Sequence, residues 1–94
     1  MAEPTARQIL LEAADLIEEH GHVVYGYGDT ESGFSISGAV IEAVGRHDLD
    51  RDLYCVLESE AYDELQKRLG VPSLARWEEQ DAEGMYDVVR VLRG

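Results

Sequence analysis

Apolar residues recur at helical spacing in the first part of the chain. The apolar positions of this part are Ile9, Leu10, Ala13, Leu16 and Ile17. Intervals of three and four residues gather such side chains on one face of an α-helix. Thr5 and Gln8 match a capping box at its start, and Gly21 supplies a helix stop. The pattern predicts an amphipathic helix from Thr5 to His20.

Residues 33–45 change from a strand-like to a helix-like pattern. The stretch carries one charged residue, Glu42, in a chain of which 30% is charged. Apolar and polar residues alternate at first, and helical spacing follows. We expect Ser37 to cap this helix and Gly45 to end it in the left-handed conformation. A helix this apolar must be covered, so we place it at the centre of the fold.

A β-hairpin is predicted between these two helices. Residues 22–27 are rich in β-prone side chains, and residues 28–33 are rich in turn-forming ones. Residues 34–36 are the expected return strand. Because a lone hairpin is marginally stable, it must pack on the helices.

The second half of the chain predicts further short helices. Residues 53–57 form an apolar run too short to distinguish a helix from a strand, and we favour a helix. The expected N-caps are Asp52, Ser59, Ser73 and Asp81, and Gly70 is the expected end of the helix after Ser59. The whole chain, residues 1–94, is thus predicted to be one mainly α (α+β) domain. It has about five short helices around the central apolar helix, with one small β-hairpin.

The charge balance excludes several classes of function. Twenty acidic residues stand against eight basic ones, which gives a net charge of −12. Phosphate backbones and anionic membranes are repelled by such a surface, so neither nucleic acid nor membrane is an expected partner. A single cysteine permits no internal disulfide, and the N-terminus shows no basic leader or long apolar run. We expect a cytoplasmic protein.

Several short motifs resemble a known family. They are residues 11–21, the pair Gly38-Ala39, Ala43, residues 69–73, Trp77, residues 87–89 and Leu92. With these motifs the chain resembles a family of small proteins of unknown function from actinobacteria and their phages. The resemblance implies a fold and an origin, with the host cytoplasm as the location of a phage-encoded member, but no chemistry. This sequence departs from the family's pattern at three positions, with His22 for a Trp, Ser35 for a Cys and Glu78 for an Asn.

Candidate metal and catalytic motifs are incomplete. The alternating carboxylates of residues 48–52 begin like a calcium loop, but Leu53 occupies the position that requires Gly. His20 and His22 could chelate zinc, yet no further ligand follows at a recognisable spacing. Cys55 lies in an apolar run, where we expect a buried thiol. We therefore predict no catalytic, cofactor-binding or metal-binding residues, and no cofactor.

Two groups of residues are predicted to bind a partner. Glu12, Asp15 and Glu19 recur at i, i+3 and i+7 and form one line along the first helix, here called the acidic stripe. Tyr25 and Tyr27 alternate onto one face of the hairpin. That face is outward if the core takes Val24; otherwise the two rings cover the first helix.

These observations favour a non-enzymatic protein–protein interaction or regulatory module. The expected partner is a protein, in particular a basic one, and homo-oligomerisation stays open. One alternative is a DNA mimic, whose carboxylates imitate phosphates for a nucleic-acid-binding protein. The alternative from another class is a small metal or hydrolytic protein that uses His20, His22 and Cys55.

Overall fold

The computed structural model describes residues 4–24 and 26–94. Within them the fold class is the predicted one, five helices with one small antiparallel hairpin. The elements are α1 (Ala6–His20), β1 (Gly28–Asp29), β2 (Gly33–Phe34), α2 (Ile36–Gly45), α3 (Arg51–Leu69), α4 (Leu74–Arg76), a π-helical turn (Trp77–Asp81) and α5 (Met85–Arg93). None of the described helices is both long and apolar enough to cross a membrane.

Helix α1 forms as its sequence predicts. The Thr5 hydroxyl accepts a hydrogen bond from the Gln8 amide at 3.2 Å, and the predicted apolar face is buried. Gly21 ends the helix at φ 104°, a value that favours glycine, and its N–H donates to the Ile17 carbonyl. Helix α1 packs against α2, α3, α5 and β2, so its buried face forms one wall of the core.

The hairpin exists, but its first strand lies later in the chain than the predicted one, which spanned residues 22–27. The paired strands are Gly28–Asp29 and Gly33–Phe34. The Asp29 carboxylate accepts from the amides of Glu31 and Ser32, which closes a tight turn directly after β1. His22 instead forms an isolated parallel bridge with Phe34, on the other edge of β2. The strand prediction was wrong because β-prone side chains do not determine which residues the turn brings into register.

Helix α2 begins earlier and ends later than predicted. Its N-cap is Ser35, whose hydroxyl accepts from the Gly38 amide at 3.1 Å, whereas Ser37 lies inside the helix. Gly45 is the last helical residue, and Arg46 continues in right-handed geometry, so no left-handed stop occurs there. As expected for an apolar helix, α2 contributes six buried residues to the core, namely Ile36, Gly38, Ala39, Val40, Ala43 and Val44.

The apolar run 53–57 is helical, as favoured, but it belongs to one long helix. Helix α3 is capped by Asp50, whose carboxylate accepts from the Leu53 amide at 2.9 Å. The proposed caps Asp52 and Ser59 are therefore both interior residues. Gly70 ends the helix in the left-handed conformation, as predicted.

Of the two N-caps predicted in the C-terminal region, one is confirmed and the other is wrong. The Ser73 hydroxyl accepts from the Arg76 amide and caps α4. Asp81 ends the π-helical turn instead of capping α5, because the chain becomes extended at Ala82 and α5 begins only after Gly84. Helix α5 then buries Val88, Val89 and Leu92 against the core.

Candidate functional site

A buried histidine–glutamate pair lies at the N-terminus of α2. His22 Nε2 and Glu78 Oε2 are 2.7 Å apart, and the two side chains are 7% and 5% exposed. The same Glu78 oxygen accepts a hydrogen bond from the Ile36 amide at 2.7 Å. One carboxylate thus joins the segment after α1, the first turn of α2 and the π-helical turn.

Local structure explains why Glu78 fits this position. Ile36 is the first residue of α2, and amides in a first helical turn have no partner within their own helix. A carboxylate there satisfies a free N–H and interacts favourably with the helix dipole. The wider π-helical turn carries Glu78 toward the core, whereas its neighbour Glu79 is exposed.

His22, Ser35 and Glu78 meet at this place. His22 and Glu78 form the pair, and Ser35 caps the helix whose first amide Glu78 accepts. The Ser35 amide also donates to the Tyr27 carbonyl at 3.2 Å. Since its donors and acceptors bind one another and the two paired side chains are nearly inaccessible, the cluster stabilises the fold and does not offer a reactive group to solvent.

The residues of the metal or hydrolytic alternative occupy separate environments. His20 packs edge-to-face against the Phe34 ring, with ring centroids 5.8 Å apart. The His22 side chain is 7% exposed and lies beside Glu78. Among the described residues, no hydrogen bond joins Cys55 to a histidine. Across residues 4–24 and 26–94, no three His, Cys, Asp or Glu side chains are grouped as a metal site requires.

Cys55 is exposed, so the expectation of a buried thiol was wrong. Helix α3 buries Leu57, Ala61 and Leu65, which are spaced by four residues. At 3.6 residues per turn, a position two residues before Leu57 lies on the opposite side of the helix. An apolar run of five residues did not reveal this because its period is visible only over the full length of α3.

The acidic stripe is held by contacts to neighbouring elements. Both carboxylate oxygens of Glu12 lie within 2.9 Å of His47 Nε2, just after α2. Arg93, at the end of α5, donates to Asp15 Oδ1 at 3.1 Å. Glu19 is 74% exposed, and its carboxylate lies 4.0 Å from His20 Nε2. The stripe is therefore a surface whose first two carboxylates are oriented from either side.

Glu18 strengthens the link between α1 and α5. Arg93 donates to both of its carboxylate oxygens, at 2.9 and 3.0 Å. The hydrogen bond from Arg93, followed by the attraction of its charge, holds the pKa of the Glu18 carboxyl below its ordinary value. The hydrogen bonds that Arg93 donates to Glu18 and Asp15 in turn raise the pKa of its guanidinium.

The structure describes one of the two tyrosines that were predicted to bind a partner. Tyr25 lies outside the described residues. Tyr27 is 63% exposed, and Val24, which had been considered as a core residue, is itself 38% exposed. The Tyr27 ring is thus available at the surface, although Val24 does not provide the buried side of a strand.

An exposed hollow lies beside α5, and no pattern in the sequence had predicted it. Tyr86 is 83% exposed and Met85 is 41% exposed. They adjoin a hollow of about 280 Å³, which is also lined by Glu18 of α1 and by Val89, Arg90, Arg93 and Gly94. The signal that could have found the hollow is Tyr86, a large aromatic residue outside the buried face.

Comparison with known proteins bears on the family and not on the function. No curated protein and no solved structure is significantly similar to this chain. One family model, described as "Family of unknown function (DUF6197)", matches residues 1–94. Since this match covers the whole chain, the protein belongs to the DUF6197 family.

Proposed function

We propose that this protein is a non-enzymatic protein–protein interaction module, and that its acidic stripe binds a basic segment of another protein. The observation that carries the proposal is the fixed geometry of the stripe. Contacts from His47 and Arg93 orient Glu12 and Asp15 on the surface of α1. Side chains that are already ordered lose less conformational entropy when a partner binds.

The stripe retains free acceptor positions for such a partner. Asp15 uses Oδ1 toward Arg93, and its side chain is 74% exposed. Glu19 is equally exposed. A carboxylate can accept several hydrogen bonds, so both groups can receive an arginine or lysine while the existing contacts persist. The net charge of −12 also attracts a basic partner over distance and speeds encounter.

The same geometry favours binding of a basic protein segment over imitation of DNA. A DNA mimic needs a regular series of free carboxylates in place of phosphates. Here Glu12 directs both oxygens to His47, and Glu18 directs both to Arg93. On α1 the free acceptors that remain are those of Asp15 and Glu19, which suits recognition of a particular basic side-chain arrangement.

The proposal extends to the setting in which binding occurs. The family resemblance implies an actinobacterial or phage origin, and the partner is then a cytoplasmic protein of the host cell. We propose that the protein regulates or assists this partner by occupying its basic surface.

The test is binding of a fluorescent arginine- and lysine-rich peptide across a salt series. The stripe variant is Asp15→Asn with Glu19→Gln. The matched control is Glu60→Gln with Asp63→Asn, which removes the same charge from exposed positions of α3. We expect affinity to fall more in the stripe variant than in the control, and to weaken with salt for the wild type.

Residue-resolved NMR during the same titration locates the contact. Amide shifts that concentrate on α1 near Asp15 and Glu19 support the proposal. Equal loss of affinity in both variants, with shifts spread over the surface, shows that the peptide responds to net charge alone and refutes the stripe as a specific site.

A further inference from the structure

Residues 71–83, here called the strap, connect α3 to α5 and reach the N-terminus of α2 through Glu78. Helices α1, α2, α3 and α5 each bury at least three residues. Within the strap, all of which the structure describes, the single buried residue is Glu78, whereas Leu74, Trp77 and Ala82 are only partly buried against the core. Because segments that bury little apolar surface open most easily, the strap is held less firmly than the helices that it connects.

The backbone at both ends of the strap has room to rotate. Gly70 and Gly84 have φ angles of 65° and 112°. A Cβ atom added at either glycine would meet no other described part of the chain within 4 Å. A glycine in open space can change its φ and ψ angles without collision, which is what a hinge requires.

The strap also has internal structure of its own. The Ser73 hydroxyl accepts from the Arg76 amide at 3.3 Å, and the Trp77 carbonyl accepts from the Ala82 amide at 2.9 Å. A hollow of about 240 Å³ is lined by strap residues alone, so the segment folds partly around itself. These contacts do not depend on the rest of the protein, and they allow the strap to move as one piece.

The middle of the strap is tied to the rest of the protein by Glu78. Its carboxylate accepts from the Ile36 amide and lies beside His22 Nε2, each at 2.7 Å. A carboxylate differs from an apolar anchor because it regains its hydration when it leaves a buried position. Hydration offsets part of the lost contact, so the strap can open at a smaller cost than unfolding of the whole domain.

Two exposed hydrogen bonds join the strap to its neighbouring helices near the hinges. Gln66 Nε2 donates to the Pro72 carbonyl at 3.2 Å, and the Glu83 amide donates to Asp87 at 2.9 Å. Each bond spans the chain immediately around Gly70 or Gly84. Neither bond therefore fixes the middle of the strap in place.

We propose that the strap opens as one unit about Gly70 and Gly84 while α1, α2, α3 and α5 stay folded, and that the Glu78 carboxylate holds it closed. In the closed state Glu78 satisfies the first amide of α2 and shelters the His22 side chain. Opening gives both groups to water, so the two states differ at the N-terminus of α2. The device uses no residue of the acidic stripe, and its test is independent of partner binding.

The test on the unaltered protein is native-state hydrogen exchange, followed by NMR at a series of low urea concentrations. The Ile36 amide reports opening of the strap because it donates to Glu78. The Gly38 amide donates to Ser35 Oγ at 3.1 Å in the same helical turn, and it reports loss of the turn itself. After correction for intrinsic rates, we expect Ile36 to exchange at least about tenfold faster than Gly38 and with a weaker dependence on urea, because opening exposes little surface. Equal protection and equal urea dependence of the two amides would overturn the proposal.

Three variants test whether the strap moves as a unit. Leu74→Ala weakens its packing four residues away from Glu78, and Glu78→Gln removes the charge of the holding contact. We expect each to speed exchange of the Ile36 amide by roughly tenfold while Gly38 keeps its protection. Glu79→Ala, at an exposed position of the same turn, should leave both amides unchanged. A folded Leu74→Ala variant whose Ile36 exchange equals that of the wild type would refute opening as one unit.

Discussion

Replacement of Glu78 by alanine tests the buried pair at the N-terminus of α2. The Glu78 carboxylate accepts from both the Ile36 amide and His22, each at 2.7 Å, and the residue is 6% exposed. Glu78→Ala removes the acceptor and leaves both groups buried without this partner. The variant also breaks the connection between the π-helical turn and α2.

The size of the effect follows from burial. A buried donor left unsatisfied costs about 1–3 kcal/mol, and Glu78→Ala leaves two of them, the Ile36 amide and the His22 ring. We therefore expect the free energy of unfolding to fall by about 2–6 kcal/mol. A small domain has about 5–15 kcal/mol in total, so the melting temperature should fall by roughly 8 °C or more. Glu78→Gln keeps one oxygen acceptor and should lose only about 1–3 kcal/mol.

The assay is urea unfolding followed by circular dichroism, with thermal melting as a second measurement. Glu79→Ala is the matched control, because Glu79 is exposed in the same turn and its loss should change stability by no more than about 0.5 kcal/mol. If Glu78→Ala and Glu79→Ala unfold at the same urea concentration, the pair does not stabilise the fold and the reasoning is refuted.

Two further predictions concern α2 and α3. In Gly38→Ala the new Cβ overlaps the Tyr27 carbonyl oxygen, so the free energy of unfolding, measured in urea, should fall by about 1–3 kcal/mol. Gly45→Ala has open space around the new Cβ and should raise the free energy of unfolding by about 0.5–1 kcal/mol. Equal effects of the two variants would contradict the close approach at Gly38. Burial raises the pKa of Tyr62 from 10.0 to about 12, so its neutral form is favoured by folding and its contribution to stability is complete below about pH 10 and lost between about pH 10 and 12. Spectroscopic titration should show a tyrosine ionising near pH 12 that is missing in Tyr62→Phe, and the variant should lose less stability over that interval; an unchanged titration curve would contradict the burial of the ring.

Local signals predicted many of the helix ends. Thr5, Gly21, Gly70 and Ser73 act as expected, because a cap bonds amides within its own turn and a left-handed stop depends on the glycine itself. The buried face of α1 was likewise predictable from the sequence, because its fifteen helical residues show the helical period clearly. Fold class followed from these elements.

Other boundaries depended on partners elsewhere in the chain. Ser35 and Ser37 are both acceptable N-caps locally, but pairing of Phe34 with Gly28 ends the strand just before Ser35. Glu78 then accepts the first helical amide, from Ile36. The start of α2, two residues earlier than predicted, was therefore decided by contacts with other parts of the chain, which no local pattern contains.

For the candidate surfaces, too, one part was predictable from the sequence and another part was not. By itself, the sequence determined the net charge of −12 and the line of Glu12, Asp15 and Glu19 along α1, because helical periodicity places those residues together. Only the tertiary structure decided that His47 and Arg93 orient the stripe, that Tyr86 borders a hollow, and that His22 meets Glu78 across 56 residues. The physical reason is that periodicity specifies neighbours on one element, whereas packing of several elements specifies which distant side chains share a place.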